Sequence, residues 1–157
     1  GTHDGRNVVN SLSLNAQQLE EWNISRYDRY KIVERDEVLY EEFMMEDAEI
    51  CVVSFGIASR VSKNAIMQAR AKGIKVGMIR PITLWPFPKD ALKKASSKVK
   101  AFLSVELNMG QMVDDVKLAI NCAKPVYFYG RTGGVLMTPD EIVNKINQIE
   151  KGEAKEW

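Results

Sequence analysis

Histidine and cysteine are scarce in this 157-residue sequence: His3 is the one histidine, and Cys51 and Cys122 are the two cysteines. A single histidine, in a stretch that reads as loop, is too few for a Ser-His-Asp triad or a multi-histidine metal centre, so His3 is expected to be solvated. The cysteines stand in separate apolar contexts without the Cys-x-x-Cys spacing that holds zinc or an iron–sulfur cluster, and both are expected to be buried, reduced thiols. An excess of charge of one sign is missing too. Lys plus Arg number 22 and Asp plus Glu 21, a formal net charge of +1, which leaves no basic surplus for counterion-release binding to nucleic acid. No apolar run approaches the ~20 residues of a membrane span. The opening GTHDGRNVVN has neither the charged n-region nor the apolar h-region of a signal peptide. These absences describe a soluble, cytoplasmic chain with no nucleic-acid or membrane partner. GTHDG also lacks an initiator methionine and runs in loop-like order, so a fragment of a longer chain is expected.

What is present is an alternation of strands and helices, of a length that suits one domain. Continuous apolar runs, β-branched or aromatic-rich, begin at Ile50 (ICVVSF), Lys75 (KVGMI), Ala101 (AFLSV) and Val126 (VYFY), at nearly constant spacing. Runs without polar alternation are what strands buried on both faces require. Between them the apolar residues take helical steps: Ala58, Val61, Ala65 and Ala69, stopped by Gly73; Pro88, Ala91, Leu92 and Ala95; Met112, Val113, Val116, Ala119 and Ile120. A fourth helix has a capping box, with Thr138 at the N-cap, Pro139 first and Glu141 third, ahead of Ile142, Val143, Ile146 and Ile149. This order predicts right-handed crossovers and a three-layer α/β/α domain over residues 37–150, with a mostly parallel sheet. VLYEEFM from Val38 is expected to add an antiparallel edge strand. Residues 1–36 read as a linker and a helix, from Asn15 to about Arg35, that packs on the domain or on a neighbour, and residues 151–157 as a charged, frayed tail.

Ligands of open α/β sheets meet the carboxyl ends of the strands, so four loops carry the functional question. GIASR, with Gly56, Ser59 and Arg60, lacks the Gly-x-Gly-x-x-Gly that admits a pyrophosphate; it reads as a strand-to-helix turn with Ser59 a candidate N-cap. GRTGG, from Gly130, is a flexible lead into the capped helix or, less favoured, an anion-binding nest with Arg131 as counter-charge. ELNMGQ puts Glu106 at a strand terminus, Asn108 in the turn, and Gly110 and Gln111 at the mouth of a helix. No carboxylate or histidine stands beside Glu106 in sequence to tune it, so it is expected to accept structural hydrogen bonds rather than act as acid or base. RPITLWPFP, from Arg80, is the most distinctive. Pro81, Pro86 and Pro88 fix φ and remove three donors, so the segment loses little entropy on docking and cannot extend the sheet. Ile82, Leu84, Trp85 and Phe87 either fold back on the end of the domain or anchor an interface, where Trp and Arg are enriched.

Taken in order, EDAEICVVSFGIASR, GIKVGMIRPITLWPFP, VKAFLSVELNMGQM and PVYFYGRTGG followed by TPDEI resemble the C-terminal domain of the α-type subunit of 2-oxoacid:ferredoxin oxidoreductases. GTHD resembles the linker that enters that domain, and the likeness covers nearly the whole chain. It implies the transketolase C-terminal-domain fold, a five-stranded sheet with four parallel strands and one antiparallel edge strand. It also implies an enzyme that oxidatively decarboxylates a 2-oxoacid on thiamine diphosphate, passes electrons through iron–sulfur clusters to ferredoxin and hands the acyl group to coenzyme A. In that family thiamine diphosphate, magnesium and the clusters are held by other domains or subunits. No catalytic, cofactor-binding or metal-binding residue is therefore expected here, and the chain alone is expected to be inactive. The implied partners are the subunit's own N-terminal thiamine-pyrimidine domain, the β- and γ-type subunits, and ferredoxin. Carried over by position, Arg80, Pro81, Trp85, Pro86, Glu106, Asn108, Gly110 and Gln111 are expected to be packing and interface positions. Gly56, Ser59, Arg60, Leu84, Phe87, Gly130 and Arg131 join them in the strand-end loops.

Two other readings compete. The C-terminal domain of a transketolase-like or 2-oxoacid dehydrogenase subunit shares the fold, but those families carry a different loop where RPITLWPFP stands. A free-standing binding module of receiver type needs a carboxylate cluster for magnesium where only Glu106 stands, and one of flavodoxin type would bind flavin mononucleotide.

Overall fold

The computed structural model describes residues 5, 10 and 12–157, so His3 and the GTHD segment lie outside the described residues. The chain divides into two compact units, residues 1–36 and 37–157. In the first, α1 (Ala16–Asp36) starts where Asn15 Oδ1 accepts the N–H of Gln18 at 3.0 Å, a side-chain cap. None of its 21 residues is buried.

The second unit runs β1 (Tyr40–Phe43), β2 (Ile50–Ser54), α2 (Gly56–Ala71), β3 (Val76–Pro81), α3 (Lys89–Ser96), β4 (Ala101–Glu106), α4 (Met112–Ala119), β5 (Val126–Gly130) and α5 (Pro139–Glu150). The strands form one sheet in the order β1-β3-β2-β4-β5. β2 lies parallel to β3 and β4, and β4 parallel to β5, while β1 runs antiparallel to β3 with Tyr40 opposite Pro81. This is the expected three-layer fold with one antiparallel edge. Helices cover both faces, which is why the central strands read as unbroken apolar runs. Ile50, Val52, Leu103 and Val105 face a core shared with α2 and α5, and Cys51, Val53 and Phe102 face one shared with α3 and α4. Each fully buried aliphatic or aromatic side chain contributes roughly 1.5–3 kcal/mol. Ala58, Ala65 and Ala69 give α2 a narrow buried stripe that lets it sit close to the sheet.

Two local devices position the edge strand. At Gly77 a Cβ would lie 2.4 Å from Met44 O, so the turn after β1 presses directly on β3. Arg70 then ties that turn down, donating to Val76 O (2.7 Å), Met44 O (2.7 Å) and Asp47 Oδ1 (2.6 Å). After β3 the chain crosses back over β2 to place β4, so the order reverses between the carboxyl ends of β2 and β4, the switch point where open α/β sheets form crevices. Ser54 Oγ donates to Val105 O across it at 2.9 Å.

Three expectations change. Ser59 is not the N-cap of α2. Gly56, with φ 57°, turns the chain straight from strand into helix, so Phe55 is the N-cap and Ser59 Oγ donates back to Gly56 O at 2.7 Å. Cys51 is buried but Cys122 is exposed. Asn121 and Cys122 both take φ 52° just past α4, which swings the thiol out of the helix's apolar face. Finally, the tail expected to fray is docked: Trp157 N donates to Val126 O at 3.0 Å and its ring lies 4.6 Å from that of Phe128. Among the described residues no helix is long and apolar enough to cross a membrane.

Candidate functional site

The four loops at the carboxyl edge of the sheet share one design, a buried root with an apolar tip exposed. In the loop after β3, Ile82 N and Thr83 N both donate to Leu39 O (2.9 and 3.1 Å), and Thr83 Oγ1 bridges Leu39 N (3.0 Å) and Pro86 O (2.8 Å). The Trp85–Pro86 peptide is cis. Pro81, Pro86, Phe87 and Pro88 are buried, and Phe87 joins the core under α3. Ile82, Leu84 and Trp85 remain 53, 48 and 55% exposed. Phe87 thus folds back on the end of the domain, while Ile82, Leu84 and Trp85 face outward.

The loop after β4 is organised by Glu106, which is fully buried. Its Oε1 accepts from Ser104 Oγ (2.9 Å) and Val113 N (2.9 Å). Its Oε2 accepts from Asn108 Nδ2 (3.1 Å), Gln111 N (3.2 Å) and Met112 N (2.9 Å). The carboxylate thereby caps α4, satisfying N–H groups that a helix start leaves unpaired and placing negative charge at the positive end of its dipole. Both oxygens are thus engaged by five donors that shape the turn. Asn108 Oδ1 accepts from Gly110 N at 2.7 Å and completes the turn. Leu107 and Met109 stand out from it, 41 and 73% exposed.

The remaining loops follow suit. After β2, Gly56 and Arg60 are exposed, Ser59 is buried, and Ile57 is 64% exposed. Arg80 Nη1 reaches Glu41 Oε2 at 3.1 Å, and Lys63 Nζ reaches Glu41 Oε1 at 2.5 Å. Lys63, and then Arg80, hold the Glu41 carboxyl below its ordinary range. After β5, Arg131 donates from Nε to Tyr129 Oη (3.1 Å) and from Nη2 to Glu141 Oε1. The anion nest therefore lacks its counter-charge, because Glu141 already engages the guanidinium. The N–H of Thr138, and then Arg131, push the Glu141 carboxyl down to about 2. Burial comes first among the causes that raise the Tyr129 phenol. Val135 and Leu136 are 53 and 75% exposed.

Topology thus gathers Gly56, Arg60, Leu84, Trp85 and Gln111 as accessible positions on one edge, while Ser59, Pro81, Pro86, Phe87 and Glu106 are buried supports. Arg80, Asn108, Gly110, Gly130 and Arg131 are half-buried between them. Ile57, Leu107, Met109, Val135 and Leu136 escaped the sequence reading. Their signal was an apolar residue just past a strand end, where turn residues are the rule. Every loop of this edge thus carries at least one exposed large apolar side chain. Among the described residues no three His, Cys, Asp or Glu cluster to hold a metal, and Cys51 lies within the core.

Known proteins share both the sequence and the fold of this domain. The family described as pyruvate:ferredoxin oxidoreductase core domain II matches residues 48–142. Ketoisovalerate oxidoreductase subunit VorB of Methanothermobacter marburgensis is 46% identical over 144 residues, 92% of this chain and 41% of the relative. 2-Oxoglutarate synthase subunit KorA of the same organism is 38% identical over 101 residues, 64% of this chain and 27% of that one. Among solved structures, 2-oxoglutarate:ferredoxin oxidoreductase from Magnetococcus marinus shares the fold with a TM-score of 0.69 at 22% identity, over 87% of this chain and 24% of that chain. A split-gene transketolase does so with a TM-score of 0.59 at 17% identity, over 69% of this chain and 40% of that chain. The chain spans about two fifths of the length of the VorB relatives, 41%. The domain framed by these loops belongs to the pyruvate:ferredoxin oxidoreductase core domain II family, carried by subunits of the 2-oxoacid:ferredoxin oxidoreductases.

Proposed function

We infer that this chain is the assembly domain of a cytoplasmic 2-oxoacid:ferredoxin oxidoreductase. The whole enzyme decarboxylates ketoisovalerate on magnesium-bound thiamine diphosphate, transfers the acyl group to coenzyme A and sends electrons through iron–sulfur clusters to ferredoxin. The branched-chain substrate is supported by the two relatives that match over 92% of this chain, both ketoisovalerate oxidoreductase subunits. The thiamine, magnesium and clusters reside on other domains or subunits, and this chain supplies no catalytic residue. Its carboxyl edge docks against the subunit's thiamine-pyrimidine domain and the β- and γ-type subunits. In that contact Arg60, Leu84, Trp85 and Gln111 touch the partner, and Glu106, Pro86 and Phe87 hold the loops in shape.

The observation that carries this reading is the exposure of large apolar side chains on all four strand-end loops. Its test is charge insertion in the complete enzyme. Met109→Glu and Leu84→Glu each alter an exposed side chain, so the domain's stability should change by less than about 0.5 kcal/mol. Subunit association, followed by size-exclusion chromatography, should weaken by about tenfold or more. Normal assembly of both variants would refute the docking role. Equal ferredoxin reduction with ketoisovalerate, 2-oxoglutarate and pyruvate would refute the substrate assignment alone.

A further inference from the structure

The sheet ends in two open edges, and the chain protects them by different means. Strand β1 is short and carries Glu41 and Glu42, charges of the kind that discourage strand addition. Strand β5 reads VYFYG, uncharged, free of proline and with three consecutive aromatic residues, a composition that favours strand addition. Main-chain groups of a parallel strand alternate between its two neighbours. Pro125 O and Arg131 N bond to β4, at 3.0 Å to Phe102 N and 3.2 Å to Glu106 O. Val126, Phe128 and Gly130 therefore present their main-chain groups outward.

Residues 151–157 cross this edge from one face of the sheet to the other. Ala154 still packs on the core of α2 and α5, whereas Trp157 stacks its ring 4.6 Å from Phe128, which belongs to the core of α3 and α4. The crossing is fastened at its end. Trp157 N donates to the outward-facing Val126 O at 3.0 Å, and Trp157 Nε1 to Asp114 Oδ1 on α4 at 3.4 Å. Lys117 Nζ, also on α4, donates to the main-chain oxygen of Trp157. Gly110 leaves room for the indole, since a Cβ there would lie 2.8 Å from it. Main-chain bonds to α5 hold the segment as far as Ala154 N on Gln148 O (3.2 Å), but Lys155 and Glu156 are exposed and Trp157 is 47% exposed, so beyond Ala154 it is held by its end rather than by burial.

We propose that residues 151–157 form a strap, latched by Trp157, that covers the outer edge of β5 and prevents it from pairing with the β5 edge of a second copy of this chain. Two such edges related by a twofold axis would run antiparallel and join two five-stranded sheets into one. The strap is the physical obstacle to that pairing, and its release bares the Phe128 ring and the outward main-chain groups together. This inference does not depend on the proposed enzyme.

The test compares Trp157→Ala and Trp157→Phe in the full chain, by amide exchange and sedimentation velocity over a range of concentrations. In Trp157→Ala at low concentration, the Tyr127 and Tyr129 amides on the β4 side should exchange about tenfold faster while the amides of β2 keep their protection. As concentration rises, the variant should double in mass. Trp157→Phe, which keeps a ring against Phe128, should behave as the wild type. Unchanged exchange and mass in Trp157→Ala would overturn the strap, as would faster exchange without self-association. Loss of protection throughout the domain would make Trp157 a core residue instead of a latch. A wild-type chain already paired through β5 would equally overturn the proposal.

Discussion

Val113, in the first turn of α4, donates its main-chain N–H to Oε1 of Glu106, the last residue of β4, at 2.9 Å. One buried carboxylate thus ends a strand and begins a helix. The turn between them is held from inside, so Leu107 and Met109 can stand exposed without the loop needing them for its own stability.

That arrangement makes Glu106 sensitive to an isosteric change. Glu106→Gln points an amide NH2 at groups that are themselves donors, leaving at least one buried N–H or hydroxyl unsatisfied. A loss of about 2–3 kcal/mol is expected from urea unfolding. A loss below about 0.5 kcal/mol would mean that the five bonds contribute little beyond what water supplies to the unfolded chain.

Gly130 and Gly133 separate two reasons for glycine. At Gly130 a Cβ would lie 2.5 Å from Asn108 O and 2.4 Å from Phe128 Cζ, whereas at Gly133 nothing lies within 4 Å but φ is 66°. Gly130→Ala should cost about 2–3 kcal/mol by overpacking, and Gly133→Ala only about 1 kcal/mol by backbone strain. Thermal or urea unfolding in the reverse order would show that the loop carrying Asn108 yields to the added methyl group.

The capping box of α5 sets an acid limit. Glu141, ordinarily titrating at 4.5, is pushed down to about 2 by the Thr138 N–H and then by Arg131. A depressed folded-state value means a contribution fully present above about pH 5 and lost as pH falls from about 4.5 towards 2. The wild type should therefore be more stable than Glu141→Gln near neutrality, with the difference shrinking through that window. A difference that stays constant down to pH 2 would rule out the linkage.

The two thiols should differ in reactivity. Burial pushes the Cys51 thiol up to about 12, while Cys122 sits exposed beyond α4. The thiolate is the reactive form. Maleimide should therefore modify Cys122 in the folded chain and reach Cys51 only on unfolding, as read by intact mass. Labelling of a folded Cys122→Ser variant would contradict the burial of Cys51.

The periodic apolar runs, Gly73 and the Thr138-Pro139-Glu141 start specified the parallel strands and the order of helices, because burial on two faces and helix capping are local requirements. The same local logic made Glu106 a hydrogen-bond acceptor at a strand end. It failed where a residue's partner or orientation depends on the backbone conformation actually adopted rather than on residue type. Cys122 looked buried among apolar neighbours, yet a left-handed turn exposes it. Arg131 carried the less favoured reading of an anion counter-charge, and Glu141, ten residues on, engages it. Ser59 looked like a cap, yet Gly56 began the helix earlier. Trp157 read as part of a charged tail, but Phe128 and α4 supply a surface for it that no neighbouring residue in sequence could announce. Patterning determines which segments become strands and helices; only the packed structure decides which of their end residues find partners and which remain at the surface.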